Sequence, residues 1–149
     1  LAQIVACFWL ARVGQETHPI LPDGCQDWIF HYDTSISASL IGTMTHAQKI
    51  QCVGPSLFFG IRFKPGALSL FTAMPMSHIT DQSLTLYDAF AISSATQQAL
   101  AVENLTLQQF ANIMSQGLRQ QLAAADRDGL VLIPPSGAKA QNAVYSRFK

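Results

Sequence analysis

From Cys25 onward the chain alternates. Trp28, Phe30 and Tyr32 fall on one side, and Asp27, Ile29 and His31 on the other. A period of two predicts a strand with one aromatic face and one partly polar face. The turn before it is written in Pro22, which fixes φ, and in the Asp23-Gly24 dipeptide. A second stretch has the same form: Leu57, Phe59, Ile61 and Phe63 make an apolar face, with Phe58, Gly60 and Arg62 opposite. Lys64-Pro65-Gly66 ends it, because proline cannot continue a ladder. Residues 1–13 are apolar on both faces and predict a further strand. A turn is expected at 14–16, and 17–21 leads into the Pro22 turn. Residues 34–39 are small and polar, a loop or weak edge strand. Strands are expected at 40–45 and 48–53, with Gly54-Pro55-Ser56 separating the latter from the next. Short strands with frequent turn signals point to an antiparallel barrel or sandwich.

Past Pro65 the period changes. Residues 67–73 predict a short helix stopped by Pro75, and 81–90 a mixed helix-or-loop segment. Ser93 or Ser94 can cap a helix through Ala101. Asn104 or Thr106 then opens the clearest helix, with Leu105, Leu107, Phe110, Ile113, Met114, Leu118 and Leu122 at helical spacing. Gly117 inside it costs about 1 kcal/mol or permits a close approach of another helix. The expected organisation is a β portion over 1–66, a helical portion of the same domain over 67–129, and a linker or tail over 130–149, where Pro134-Pro135-Ser136-Gly137 breaks the pattern.

Composition narrows the function. The chain has 149 residues, 49% apolar and only 12% charged, with a formal net charge of zero. That suits one domain with a real core and some apolar surface for a partner. It does not suit a free-standing nucleic-acid binder, which is usually basic. Cys7, Cys25 and Cys52 are widely spaced, so three reduced, mostly buried thiols of a cytoplasmic protein are expected. No apolar run is long enough for a membrane span.

The candidate chemistry lies on the polar faces. Asp27 and Arg62 would pair if their strands are neighbours. Arg62 could then anchor an anionic or carbonyl-bearing effector with Asp27 orienting it, or the two could form a closed ion pair that only shapes the fold. His31 shares that face, and Phe58 beside Arg62 is the expected pocket wall. The aromatic face of Trp28, Phe30 and Tyr32 reads as core. Asp23 and Gly24 read as turn residues, and Cys25 after them is a redox candidate only with a lowered pKa. His18, His31, His46 and His78 show no HxH spacing, so no metal and no other cofactor is expected. There is no GxSxG and no glycine-rich phosphate loop, so no catalytic residue is assigned.

Leu21-Pro22-Asp23-Gly24-Cys25 with Asp27-Trp28-Ile29-Phe30, followed by Gly60-Ile61-Arg62-Phe63-Lys64-Pro65-Gly66-Ala67, resembles the amino-terminal, non-DNA-binding domain of a subset of AraC-type bacterial transcriptional regulators. Phe8-Trp9, Val53-Gly54-Pro55, Ile79-Thr80-Asp81 and residues 84–90 extend the resemblance more weakly, to about residue 125. Met74 stands before Pro75 where that pattern often has glycine. The resemblance implies a cupin-like barrel followed by helices and a role in sensing a small-molecule effector. It also implies homodimerisation through the helical seam of Leu107, Phe110, Met114 and Leu118, and transcriptional control through an attached helix-turn-helix domain. The length leaves no room for that domain, so this chain is expected to be a fragment or a natural remnant, touching DNA only through the missing part. The seam could equally pack on its own barrel. A small barrel enzyme acting on a sugar or keto acid, and a pure oligomerisation module, are the rival readings.

Overall fold

The computed structural model of the chain describes residues 1–15, 17–72, 74–85 and 92–127. It is mainly β. The strands are β1 (Val5–Val13), β2 (Thr17–Ile20), β3 (Gln26–Tyr32), β4 (Ile36–Ile41), β5 (Gln48–Gln51), β6 (Ser56–Phe63) and β7 (Ser83–Thr85). Short 3-10 turns at Ala67–Leu70 and Met76–Ile79 follow β6. Two helices, α1 (Ser94–Leu100) and α2 (Leu107–Arg127), follow the strands. Every described strand pair is antiparallel, in a five-stranded sheet of order β1-β6-β3-β4-β7 and a ribbon of β2 and β5. This arrangement is consistent with a sandwich followed by helices.

The alternation read from the sequence sets the two faces of the large sheet. Trp28, Phe30, Phe59, Ile61 and Phe63 are fully buried on one face, where α2 lays Phe110, Met114 and Leu118 against them. The Phe110 ring meets Phe8, Phe30 and Phe59 at centroid distances of 6.3, 5.3 and 4.9 Å. Aromatic edges and faces in this range add attraction beyond area burial. The expected dimer seam is therefore corrected. Phe110, Met114 and Leu118 are core residues of their own domain, and only Leu107 keeps partial exposure.

Local chemistry explains the helix ends. Ser93 Oγ accepts the Thr96 N–H at 3.2 Å and starts α1. Thr106 and Gln109 form a reciprocal capping box: the Gln109 N–H donates to Thr106 Oγ1 at 3.2 Å, and the Thr106 N–H to Gln109 Oε1 at 2.9 Å. Of the two expected caps, Thr106 does the work, while Asn104 takes the left-handed turn before it (φ 57). A Cβ on Gly117 would lie 3.3 Å from Thr96 Oγ1, so this glycine lets α1 approach α2 closely.

Other expectations shift. Of the segment 34–39, residues 34 and 35 belong to the turn after β3, whereas 36–39 belong to β4, which is not an edge because it lies between β3 and β7. The strand expected over 40–45 stops at Ile41 because two tethers take the chain out of the sheet. Gly42 donates its N–H to the Gln82 carbonyl at 3.0 Å, and the Thr45 hydroxyl donates to Asp81 Oδ2 at 2.6 Å. A Cβ on Gly42 would sit 1.5 Å from the Ile79 carbonyl oxygen, so only glycine fits there. Residues 17–20, expected as a lead-in, form a strand, and the short helix expected from residue 67 is a single 3-10 turn at Ala67–Leu70. Strand β7 lies past the boundary expected at residue 66. Of the thiols, only Cys52 is buried; Cys25 is half-buried and Cys7 exposed on β1, which has a free edge in the described sheet. The rest of the 81–90 segment and the linker or tail over 130–149 lie outside the described residues.

Candidate functional site

The turn before β3 aims two carboxylates at one cation. Gly24 takes a left-handed φ of 67°, and the Cys25 N–H donates to Asp23 Oδ1 at 3.1 Å. Register then sets Asp27 opposite Arg62 on neighbouring strands. Arg62 donates from Nε to Asp27 Oδ1 and from Nη2 to Asp27 Oδ2, both at 2.9 Å, and its Nη2 lies 3.0 Å from Asp23 Oδ2. Asp27 is 3% exposed and Arg62 7%. Burial alone pulls the guanidinium pKa down. The hydrogen bond and charge of Asp27, with Cys25 and Asp23 adding, more than reverse that and hold it well above its ordinary value. The fork is bidentate and closed. The arrangement fits the shape-keeping reading of this pair.

His31 and Phe58, expected with them, lie elsewhere on the same face. They are four residues farther along β3 and β6, roughly 13 Å at ordinary strand rise. Their rings stack at 4.4 Å and 11°. Both line a groove of about 900 Å³ that runs across the end of the large sheet, between the β3–β4 turn and the connection from β5 to β6. Arg12, Val13, Asp33 and Cys52 share its walls. Asp33 is held by its own turn: it accepts from the Thr34 hydroxyl at 2.8 Å, from the Thr34 backbone N–H and from the Ser35 N–H. The Thr34 and Ser35 hydrogen bonds, with a smaller pull from His31, keep its carboxyl below the usual carboxylate range. The structure thus divides the four expected ligand residues: His31 and Phe58 line the groove, while Asp27 and Arg62 lie apart from it in the ion pair.

Trp9 backs this region. A small cluster of Ala11, Val13 and Cys52 carries Trp9 and Phe58 against it. Register places Trp9 opposite Gly60, and a Cβ there would fall 2.0 Å from Trp9 Cε2. Gly60→Ala should therefore displace the indole and cost about 1–3 kcal/mol, as overpacking does. Trp28 is fully buried, so a red-shifted tryptophan emission would report Trp9 leaving its seat. An emission unchanged in the folded variant would contradict this packing.

Sequence reasoning missed Arg12, which joins the groove only because β1 ends beside β6. Its one signal is that it is the sole charge in the β1 run. The other histidines are scattered: His18 on β2, His46 before β5, and His78 in the second 3-10 turn. No three of His, Cys, Asp and Glu converge among the described residues. Among the described residues no helix is long and apolar enough to cross a membrane.

No curated protein and no solved structure matches the chain. One family model does, over residues 1–85, more than half of the chain. That span runs from β1 through β7 and so holds the ion pair and the whole groove wall. The chain accordingly belongs to the family described as a domain of unknown function, DUF6597.

Proposed function

We propose that this chain is the effector-sensing regulatory part of an AraC-type transcriptional regulator, bacterial, cytoplasmic and homodimeric, acting through an attached helix-turn-helix domain. The observation that carries the reading is the groove across the sheet end. It lies in a chain that also bears the paired turn-strand motifs of Asp23-Gly24-Cys25 and Lys64-Pro65-Gly66. A ligand seated there would touch the β3–β4 turn and the β5–β6 connection together. Binding energy would thus bias the position of two loops, which is what a population shift requires.

A thermal-shift screen of the purified chain against small metabolites tests this. A ligand at a hundred times its Kd should stabilise the chain by about 2.7 kcal/mol, and His31→Ala should abolish the shift. A screen without any stabilising ligand, or specific operator binding by this chain alone in a gel-shift assay, would count against the reading.

A further inference from the structure

One strand edge in the described fold lacks the usual protection. An edge offers N–H and C=O groups to any other strand, and folded proteins blunt it with brevity, proline, lysine or a bulge. Strand β7, at one edge of the large sheet, has only three residues, Ser83–Thr85. The ribbon carries Pro19 on β2 and the exposed Lys49 on β5. Strand β1, at the other edge of the large sheet, runs for nine residues, Val5–Val13. It has no proline and no lysine, and Arg12 is its one charge. Its register shifts between Val5 and Cys7, so an irregularity blunts the start of the strand. From Cys7 to Val13 the ladder to β6 is regular, and no described strand pairs with the outer side.

The side chains along this stretch leave the edge open. Leu10, the midpoint of the regular stretch, is 37% exposed. Among the described residues it is the only exposed large apolar side chain of the large sheet. Trp9 does not shield the edge. Its indole lies inward, over Gly60 of β6, where an added Cβ would fall 2.0 Å from Cε2.

We infer that two copies of this chain pair through β1, antiparallel about a two-fold axis at Leu10. The stretch is self-complementary in that register. Leu10 of one copy meets Leu10 of the other, Trp9 meets Ala11, Phe8 meets Arg12, and Cys7 meets Val13. The largest ring thus faces a methyl group, and Phe8 faces a flexible stem that carries a guanidinium. The two Arg12 residues stand four positions apart along the strands, roughly 13 Å, which is beyond the Debye length at physiological salt. A formal net charge of zero adds no long-range repulsion between copies. The axis stands perpendicular to the sheet, so the two five-stranded sheets join into one and both long helices keep to the same side. This inference rests on the homodimeric state proposed above and supplies its contact surface. The buried helical seam of Phe110, Met114 and Leu118 does not supply one.

Sedimentation velocity of the purified chain over a roughly hundredfold range of concentration should show a monomer–dimer equilibrium. Leu10→Lys keeps an apolar stem at an exposed edge and sets two ammonium groups against each other on the axis. It should keep the parent's circular dichroism and weaken the dimer at least about tenfold. Directly opposed residues of an antiparallel pair lie within disulfide reach. Leu10→Cys, made with Cys7→Ser to remove the exposed native thiol, should therefore give a linked dimer on oxidation by copper phenanthroline. Val53→Cys in the same background is the control: it is 89% exposed, lies outside β1, and should not link. If Leu10→Lys fails to fold, the linking result decides. A parent that dimerises equally well with Leu10→Lys, or a Leu10→Cys chain that links no faster than Val53→Cys, would overturn the edge contact and leave the homodimer to another surface. A parent that stays monomeric throughout would remove both the contact and the homodimeric part of the reading, while the ligand screen still tests sensing separately.

Discussion

The Arg62→Ala variant is expected to lose about 3–5 kcal/mol of folding stability, the usual cost of stripping one partner from a buried pair. Two carboxylates would then face one another without a counter-ion. Asp27, 3% exposed, has no route to water, while the Asp23 side chain, 20% exposed, has a partial one. Urea denaturation should show the whole loss in the midpoint, with little change in slope. The double variant Arg62→Met, Asp27→Leu should recover much of it, since removing both charges also removes the desolvation cost. Asp23→Asn should cost clearly less than either buried single change. A different pattern would follow if the guanidinium were held loosely and kept for a ligand. Arg62→Ala would then lie within about 1 kcal/mol of the parent, as an exposed pair does. That result would return Arg62 to the candidate binding residues.

The pair was legible because it depends on parity alone. Asp27 and Arg62 each stand opposite an aromatic or aliphatic face, and a shared polar face needs only that β3 and β6 be neighbours. The buried faces of those strands followed from the same alternation. Strand β4 was harder. Ile36, Ala38 and Leu40 do alternate, but Ser35, Ser37 and Ser39 between them resemble a loop. The strand's end at Ile41 depends on Ile79 and Gln82, about forty residues away. The groove was illegible for a similar reason. Arg12, His31 and the 53–55 connection meet only through the order of the sheet, which no local period encodes. Phe58 and His31 were singled out as site residues, yet for a pocket centred on Arg62. The sequence places them on the right face but cannot say at which end of the strand the space lies.

The helical seam shows the same limit, and it can be tested directly. Its spacing marks an apolar face without saying what covers it. Phe110→Ala is expected to cost about 3–5 kcal/mol, the range for emptying a buried aromatic site. The cavity would open between Phe8, Phe30 and Phe59, whose rings cannot all follow the lost side chain. Packing within one domain is a unimolecular matter, so the loss should be the same at every protein concentration. Sedimentation should show the variant in the same oligomeric state as the parent. Leu107→Ala, at a half-buried position where the helix begins, should cost much less. An interface between two copies would give the opposite signature. The parent's melting point would rise with concentration, and Phe110→Ala would lower it chiefly by shifting the chain toward monomer. Concentration dependence, more than the size of the loss, therefore decides whether the face is core or contact. The full burial of Phe110, Met114 and Leu118 predicts core. Any homodimer of this domain would then have to meet through surface outside those three residues.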